Sequence, residues 1–213
     1  MRSVRSYDDP CGVARALDLV GERWTLLVVR ELLFGAKRFT DLVRGLPGIS
    51  QNVLSQRLRD LDQAGLIRTR KLGPPASARA YELTERGAAL EPVLIELGRW
   101  GSRTSFKPGP ELSIDALMLA LKTTYVPGPD FDCELNFDGD VFHVVAVDGR
   151  LEVARGAAER PDVVAEMAAK MLRALVFGGR ESTAAERDGD LRLIGKRAVF
   201  ERFVKCFPRP EPL

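Results

Sequence analysis

The sequence predicts an α+β fold in two domains: helices followed by a β-hairpin over residues 1–105, and a smaller α+β domain with an antiparallel sheet over residues 111–213. Three observations support this prediction. Apolar residues recur at helical spacing in the first domain, two alternating runs there flank a proline-containing turn, and three short alternating runs follow in the second domain. A chain of 213 residues is also long enough for two small cores.

Composition excludes several classes of protein. No apolar run approaches the roughly 20 residues that span a bilayer, and the N-terminal MRSVRSYDDP lacks the apolar core of a signal peptide. We therefore expect a cytoplasmic protein with no membrane partner. Three cysteines and one histidine are too few and too scattered for a metal site, and His143 lies in an alternating run where a strand residue is the simpler interpretation. We expect neither a cofactor nor an enzyme.

The two halves of the chain differ in charge. Residues 1–105 hold 17 Lys and Arg against 12 Asp and Glu, and the remainder holds 15 against 18. A positive surface is the electrostatic requirement for binding phosphates, although a chance distribution of surface charge would also produce an excess this small. The basic first domain is therefore the candidate for nucleic-acid binding.

The first domain begins with helices predicted at residues 13–20 and 22–34. A short helix from Phe39 or Thr40 to Leu46, the turn LPGI and a longer helix capped by Ser50 then make a helix-turn-helix from Phe39 to Ala64. One side of the longer helix is apolar and packs inward, with Val53, Leu54, Leu58 and Leu61. The other side is polar, with Gln51, Asn52, Ser55, Gln56 and Arg59.

A β-hairpin follows the longer helix. Gly65 ends the helix, LIRTRKL and AYELT form the two strands, and GPPASA forms the tip. The hairpin is basic, as a wing beside duplex DNA would be, because it carries Arg68, Arg70, Lys71 and Arg79. The first domain is therefore predicted to be a winged helix-turn-helix.

The polar side of the longer helix holds the amides, hydroxyls and guanidinium groups that pair with base edges or phosphates. Base contacts are expected from Gln51, Asn52, Ser55 and Gln56, with Ser50 on the same DNA-binding face. Phosphate contacts are expected from Lys37, Arg38, Arg57 and Arg59, and from Arg79 in the wing. For Lys37 and Arg38, solubility of a plain loop is the alternative interpretation.

A set of motifs runs from Cys11 to Gly101: an early cysteine, GERWTLLVVRELLFGAKRFTDL, LPGISQNVLSQRLRDLDQAGLIRTR, PP, YELTERG and LGRWG. Their order and spacing resemble the HxlR-type winged helix-turn-helix regulators of bacteria. Two departures concern DNA contacts: Glu22 stands where the family usually has Lys, and the wing tip is longer than the common form. The resemblance implies a transcription regulator that binds double-stranded DNA.

The resemblance also implies a homodimer on a palindromic operator, since in that family the helix after the wing pairs with the N-terminal helix of a second subunit. In this sequence that helix follows the N-cap Thr84, and its apolar stripe has no intradomain strand left to cover. The stripe consists of Leu90, Val93, Leu94, Leu97 and Trp100.

Cys11 is the candidate redox residue. Several members of the resembled family sense oxidants or electrophiles through a cysteine at this position. A nearby helix N-terminus favours the reactive thiolate, whereas the carboxylates of Asp8 and Asp9 disfavour it. A purely structural cysteine is the alternative, so a thiol-based redox-sensing regulator stays one of the open functions.

The boundary FKPGPE, residues 106–111, leads into the second domain. A helix is predicted at residues 112–125, and the runs FDCELNF, DVFHVVAV and RLEVARG form an antiparallel meander. Its turns are Asp138-Gly139 and Asp148-Gly149. Two more helices are predicted, at residues 165–176 and 196–206.

Residues 111–207 resemble sterol-carrier-protein-like domains through DVV, a helix and GDLRLIGKRAVFERF. Those domains hold apolar ligands between sheet and helices, which implies an apolar small-molecule effector. The candidate lining residues, each with an ordinary core position as its alternative, are Leu117, Leu121, Phe137, Phe142, Met167, Met171 and Phe177. A carrier or sensor of lipid-like molecules, in which DNA binding is secondary, is the other open function.

Overall fold

A computed structural model of the chain describes residues 6–71, 79–104 and 111–211. Its contacts divide the chain into two units, Met1–Leu94 and Ile95–Leu213. The expected boundary at residues 106–111 and the wing tip at residues 73–78 lie outside the described residues, apart from Glu111. No helix in the described ranges is long and apolar enough to cross a membrane.

Four helices begin the first unit: α1 Gly12–Val20, α2 Thr25–Leu32, α3 Phe39–Gly45 and α4 Gln51–Gln63. Helix α2 begins at Thr25 rather than at residue 22, because Trp24 adopts a left-handed backbone with φ of 78° that interrupts a right-handed helix. The predicted N-cap of α4 is confirmed, since the Ser50 hydroxyl accepts a hydrogen bond from the Val53 amide at 3.3 Å. Gly65 ends the segment with φ of 68°.

The core of the first unit is built by the inward sides of these helices. Each fully buried Val or Leu side chain contributes about 1.5–3 kcal/mol through removal of apolar surface from water. Together they hold α3 and α4 in a fixed relation to α2. The buried residues are Val28, Val29, Leu32, Leu42, Leu46, Leu54, Leu58 and Leu61.

The predicted wing hairpin is confirmed. Strands β2 Ile67–Lys71 and β3 Arg79–Leu83 pair antiparallel, and a third strand, β1 Lys37–Arg38, pairs with the other edge of β3. A strand of 2 residues is too short to show a periodicity in the sequence. It ties the segment before α3 to the wing.

The helix expected after Thr84 is two helices, α5 Glu85–Ala88 and α6 Glu91–Gly101. Thr84 is the N-cap of α5, as predicted, and accepts a hydrogen bond from the Gly87 amide at 3.2 Å. The break follows from Pro92, which has no amide proton to donate to the preceding turn and whose ring crowds the carbonyl there. Helix α6 therefore starts anew at Glu91.

The second unit confirms an α+β fold on a five-stranded sheet. The strands are β4 Phe131–Phe137, β5 Asp140–Val147, β6 Arg150–Arg155, β7 Val163–Met167 and β8 Leu191–Gly195. The predicted meander is present as β6-β5-β4, and the sheet continues through β7 to β8. The sheet is mixed rather than wholly antiparallel, because β4 and β7 pair parallel. Both predicted turns adopt left-handed backbone, with φ of 42° at Asp138 and 51° at Asp148.

Among the described residues after α6, four further helices belong to the second unit: α7 Ile114–Thr124, α8 Ala169–Phe177, α9 Ser182–Arg187 and α10 Arg197–Lys205. The helix expected at residues 165–176 begins later, because residues up to Met167 continue the buried alternation of β7. The sequence pattern predicts neither α9 nor β8. Their short lengths, 6 and 5 residues, leave little periodicity to detect.

The expected effector-lining residues are mostly core. Leu117, Leu121, Phe137, Phe142, Met167 and Met171 are buried, and Phe177 is partly exposed. The Phe137 and Phe142 rings stand 6.4 Å apart in an edge-to-face contact, which is an ordinary core arrangement. For the six buried residues, this burial supports the alternative that they occupy ordinary core positions.

Candidate nucleic-acid interface

Helix α4 buries one side and exposes the other. Leu54, Leu58 and Leu61 are buried, and with 3.6 residues per turn the polar side chains fall on the opposite side of the helix. The structure therefore brings the expected base-contacting residues together with Arg59 on one face. Exposed or partly exposed there are Gln51, Asn52, Ser55, Gln56 and Arg59.

Two hydrogen bonds organise the middle of this face. The Gln56 Nε2 donates to Asp60 Oδ1 at 2.6 Å, and an Arg59 guanidinium nitrogen donates to Gln56 Oε1 at 2.7 Å. Both pairs are spaced three or four residues apart, where side chains on a helix meet. The amide of Gln56 is thus held between the Asp60 carboxylate and the Arg59 guanidinium.

The wing places further positive charge in the same unit. Arg68 and Arg70 on β2 are ion-paired with Glu82 on β3, at 2.7 and 3.2 Å. Arg79 instead donates to the Thr69 hydroxyl at 3.1 Å and lies over the Tyr81 ring at 5.8 Å. In the described ranges, Arg79 has no ion pair with a carboxylate, so its charge is available to a phosphate.

This arrangement of helix and wing matches a known family over the same residues. The sequence pattern described as HxlR-like helix-turn-helix covers residues 19–107. The uncharacterized HTH-type transcriptional regulator YvaP and the HTH-type transcriptional regulator YodB, both of Bacillus subtilis, are 38% and 35% identical; the matches cover 41% of this chain and 82% and 79% of those proteins. The chain belongs to the HxlR-like helix-turn-helix family.

The family match concerns the first part of the chain. An uncharacterized HTH-type transcriptional regulator of Mycobacterium tuberculosis is 44% identical over 99 residues, which is 46% of this chain and 61% of that protein. The HxlR-like pattern ends at residue 107, so the part of the second unit that follows is not identified by it. The resemblance of that unit to sterol-carrier-protein-like domains stays a prediction.

Arg57 lies on α4 between its buried side and its exposed polar face. Its guanidinium lies 3.3 Å from Glu22 and 3.4 Å from Asp60, and its side chain is only 12% exposed. Sequence reasoning expected a phosphate contact here, whereas the structure gives Arg57 carboxylate partners within the protein. Val53, expected on the packing side, is 37% exposed.

Lys37 and Arg38 precede α3 as expected, but Lys37 forms an ion pair with the buried carboxylate of Glu31. Glu31 is fully buried, and its carboxylate lies 3.0 Å from Lys37 and 2.9 Å from Arg30. The Lys37 side chain is 14% exposed, so its charge is largely matched inside the unit. The backbone amide of Arg38 donates to Asp41 at 3.2 Å, which satisfies a free amide at the start of α3.

Glu31 is the important residue that sequence reasoning missed. It lies in the apolar run TLLVVRELL, one position before buried Leu32. A carboxylate on the inward side of a helix is rarely buried without a cation beside it. That signal was present, but it does not say which cation is the partner.

The ion pairs of Glu82 predict that the stability of the folded chain depends on pH. Hydrogen bonds from Arg68 and then from Arg70 hold the pKa of Glu82 below its usual range, against the opposing effect of burial. Because the pKa is lower in the folded chain, the stabilisation is present at pH 7 and is lost as the pH falls through that lowered pKa. We expect the melting temperature of the wild type to exceed that of Glu82→Gln at pH 7, with the difference shrinking below about pH 4.

The matched control for Glu82 is Glu159→Gln. Glu159 is exposed and has no ion pair in the described ranges, so its substitution should shift the melting temperature little at either pH. Thermal melts followed by circular dichroism measure both differences. A Glu82→Gln difference of equal size at pH 7 and at about pH 3 would contradict the assigned ion pairs.

The three cysteines differ in accessibility. Cys11 is exposed just before α1, and its amide donates to Asp9 Oδ1 at 2.8 Å. Cys133 and Cys206 are buried, and burial raises the pKa of both thiols, which keeps them protonated near neutral pH. Within the described ranges, no group of three or more His, Cys, Asp or Glu residues could hold a metal ion.

Proposed function

We propose that this protein is a sequence-specific DNA-binding transcriptional regulator that acts as a homodimer on a palindromic operator. The observation that carries the proposal is the exposed polar face of α4, with Gln51, Asn52 and Gln56, in the same unit as a basic wing. Amides on a helix surface can pair with base edges in a major groove. The relatives described as transcriptional regulators support the same function.

Two exposed apolar sides support the homodimer. Helix α6 leaves Val93, Leu97 and Trp100 exposed, with Trp100 at 63%, and α1 leaves Val13 and Leu17 exposed. Apolar side chains of this size on a surface mark an association site when several occur together. A dimer with two-fold symmetry would place two α4 helices about one DNA turn, roughly 34–36 Å, apart.

In vitro selection from a library of random duplex DNA tests the proposed function. The full chain should enrich one motif, an inverted repeat with half-sites about 10 base pairs apart, and sedimentation of the protein should give a dimer. Enrichment of a single half-site would remove the dimer from the proposal. A pool that stays random would reject sequence-specific binding itself.

Arg79→Ala tests the wing. If Arg79 neutralises one phosphate, its removal should weaken binding similarly for all sequences and lower the slope of log affinity against log salt by about one unit. Fluorescence anisotropy at several salt concentrations measures this slope. Arg187→Ala is the control, because Arg187 is an exposed arginine of the second unit; equal slopes for the two variants would place Arg79 off the DNA.

A second candidate function, binding of an apolar effector by the second unit, is favoured by one observation. A cleft of about 330 Å³ opens between the loop before β4 and the end of α10, which is within the range of small-molecule sites. Apolar groups and two cations line it, which suits an apolar compound with a negative charge. The lining residues are Val126, Pro127, Gly128, Pro129, Arg202, Lys205, Cys206 and Pro208.

Native mass spectrometry of the full chain with octanoate tests this cleft. We expect octanoate to be retained and octanol to be retained much less, because only the carboxylate pairs with Arg202 and Lys205. The double variant Arg202→Gln, Lys205→Gln should weaken retention about tenfold, whereas Arg160→Gln, Arg187→Gln removes the same charge elsewhere and should not. Equal retention of octanoate and octanol would reject the anionic ligand.

A further inference from the structure

A chain of polar contacts runs along α4 from its flank to its exposed face. Glu22 and Asp60 both contact the Arg57 guanidinium. The same Asp60 accepts from Gln56 through its other oxygen, and Gln56 accepts from Arg59. Asp60 therefore joins a residue that is largely buried to two residues that the proposed function places on DNA.

The chemistry of these contacts fixes the orientation of the Gln56 amide. An ionised carboxylate only accepts hydrogen bonds, so Asp60 must face the NH₂ end of the amide. The oxygen end then faces Arg59, which only donates. Turning the amide over would set its oxygen against the Asp60 carboxylate and its NH₂ group against the Arg59 guanidinium.

The two carboxylate oxygens of Asp60 contact different residues. Oδ1 lies 2.6 Å from the Gln56 amide nitrogen, and Oδ2 lies 3.4 Å from Arg57. The same guanidinium nitrogen of Arg57 also lies 3.3 Å from Glu22. The Asp60 side chain is therefore anchored at one oxygen to a guanidinium whose side chain is only 12% exposed.

From this geometry we propose that Asp60 is a positioning residue that sets how Gln56 and Arg59 read base pairs. This role of Asp60 rests on the proposed function, since it assumes that α4 reads DNA. Gln56 keeps one amide proton and one lone pair for an adenine edge, and Arg59 keeps further donors for a guanine edge. A fixed starting orientation lowers the ordering cost of making those contacts on binding.

The test is selection from random duplex DNA by full-length wild type, Asp60→Ala and Asp60→Asn, with anisotropy on probes substituted at each position of the motif. Both variants remove one negative charge, so any general gain in DNA affinity should be the same. Only Asn keeps an oxygen that can accept from Gln56. We expect Asp60→Ala to lose about tenfold in base preference at one or two positions, and Asp60→Asn to keep most of it.

Two further variants separate positioning from structure. Asp62→Ala removes an exposed carboxylate from the same helix and should leave every base preference unchanged. Gln56→Ala combined with Asp60→Ala should lose no more preference than Gln56→Ala alone, because the two residues act through one contact. Circular dichroism checks folding, and Asp60→Leu, which also lacks a hydrogen-bond acceptor, replaces Asp60→Ala if the alanine variant unfolds.

The outcomes distinguish this inference from the proposed function. If the wild type enriches no motif, both are rejected. If the wild type enriches a motif and Asp60→Ala reads it with the same preference at every position, only the role of Asp60 is rejected. Equal losses in Asp60→Ala and Asp60→Asn would also overturn it, because the charge rather than the hydrogen-bond acceptor would then be responsible.

Discussion

Replacement of Gly45 by alanine is expected to destabilise the first unit by about 2 kcal/mol or more, although alanine is the better helix former. Gly45 is buried in α3, and a Cβ at this position would overlap Glu31 Oε2 and lie 2.8 Å from its Cδ. If the Glu31 carboxylate moved away from this Cβ, it would lose its ion pairs with Lys37 at 3.0 Å and Arg30 at 2.9 Å. Breaking a buried ion pair costs more than ordinary overpacking.

Thermal melting followed by circular dichroism should show this as a fall of about 10 °C, at about 4–8 °C per kcal/mol for a domain of this size. Gly12→Ala is the matched control, because Gly12 is also a helical glycine of the first unit and a Cβ there meets nothing within 4 Å. It should leave the melt unchanged or raise it slightly. An unchanged melt for Gly45→Ala would mean that Glu31 repacks at no cost.

The elements that the sequence predicted well are those specified by neighbouring residues. Helix α4 is specified by Ser50 at its start, by leucines at helical spacing and by Gly65 at its end, so it was found nearly to the residue. The strands of the β4-β5-β6 meander are likewise joined by short turns, and the two wing strands are consecutive along the chain. In each case the deciding interactions lie within a few residues of one another along the chain.

The roles of the cations were harder to predict, because their partners are not neighbours in sequence. Lys37 and Arg57 look alike in the sequence, as basic residues just before or within a helix-turn-helix, and phosphate contacts are expected for both. In the fold, Lys37 meets Glu31 and Arg57 meets Glu22. A local pattern reports that a side chain is charged, but only the folded unit shows which charge already has a carboxylate partner.

The second unit illustrates two other limits. The parallel pairing of β4 with β7 joins strands separated by β5 and β6, and nothing in either strand's own pattern specifies it. The sequence pattern does not distinguish an effector-lining residue from a core residue, since Phe137 and Phe142 would be apolar in both roles, and both are buried. The cleft near Val126 and Arg202 depends on loop geometry, which apolar periodicity does not describe.

The second large effect is expected at the start of α4, where the double variant Gln51→Ala, Asn52→Ala should lower affinity for the selected motif about 100-fold. Each amide that pairs with a base edge contributes about 1–3 kcal/mol of discrimination, and the first turn of such a helix is the part that enters the groove. Both side chains are exposed, so folding should be unaffected. Anisotropy with the selected duplex and with a random duplex measures the two affinities.

The salt dependence separates this effect from that of the wing. Neither Gln51 nor Asn52 carries a charge, so the double variant should keep the wild-type salt slope and its affinity for random duplex, whereas Arg79→Ala should lower the slope. Gln63→Ala is the control on the same helix, because Gln63 is exposed but lies about 18 Å along the axis from Gln51. If Gln63→Ala weakened motif binding as much as the double variant, the opposite end of α4 would be the one in the groove. If the double variant instead weakened motif and random duplex equally, these amides would not read sequence.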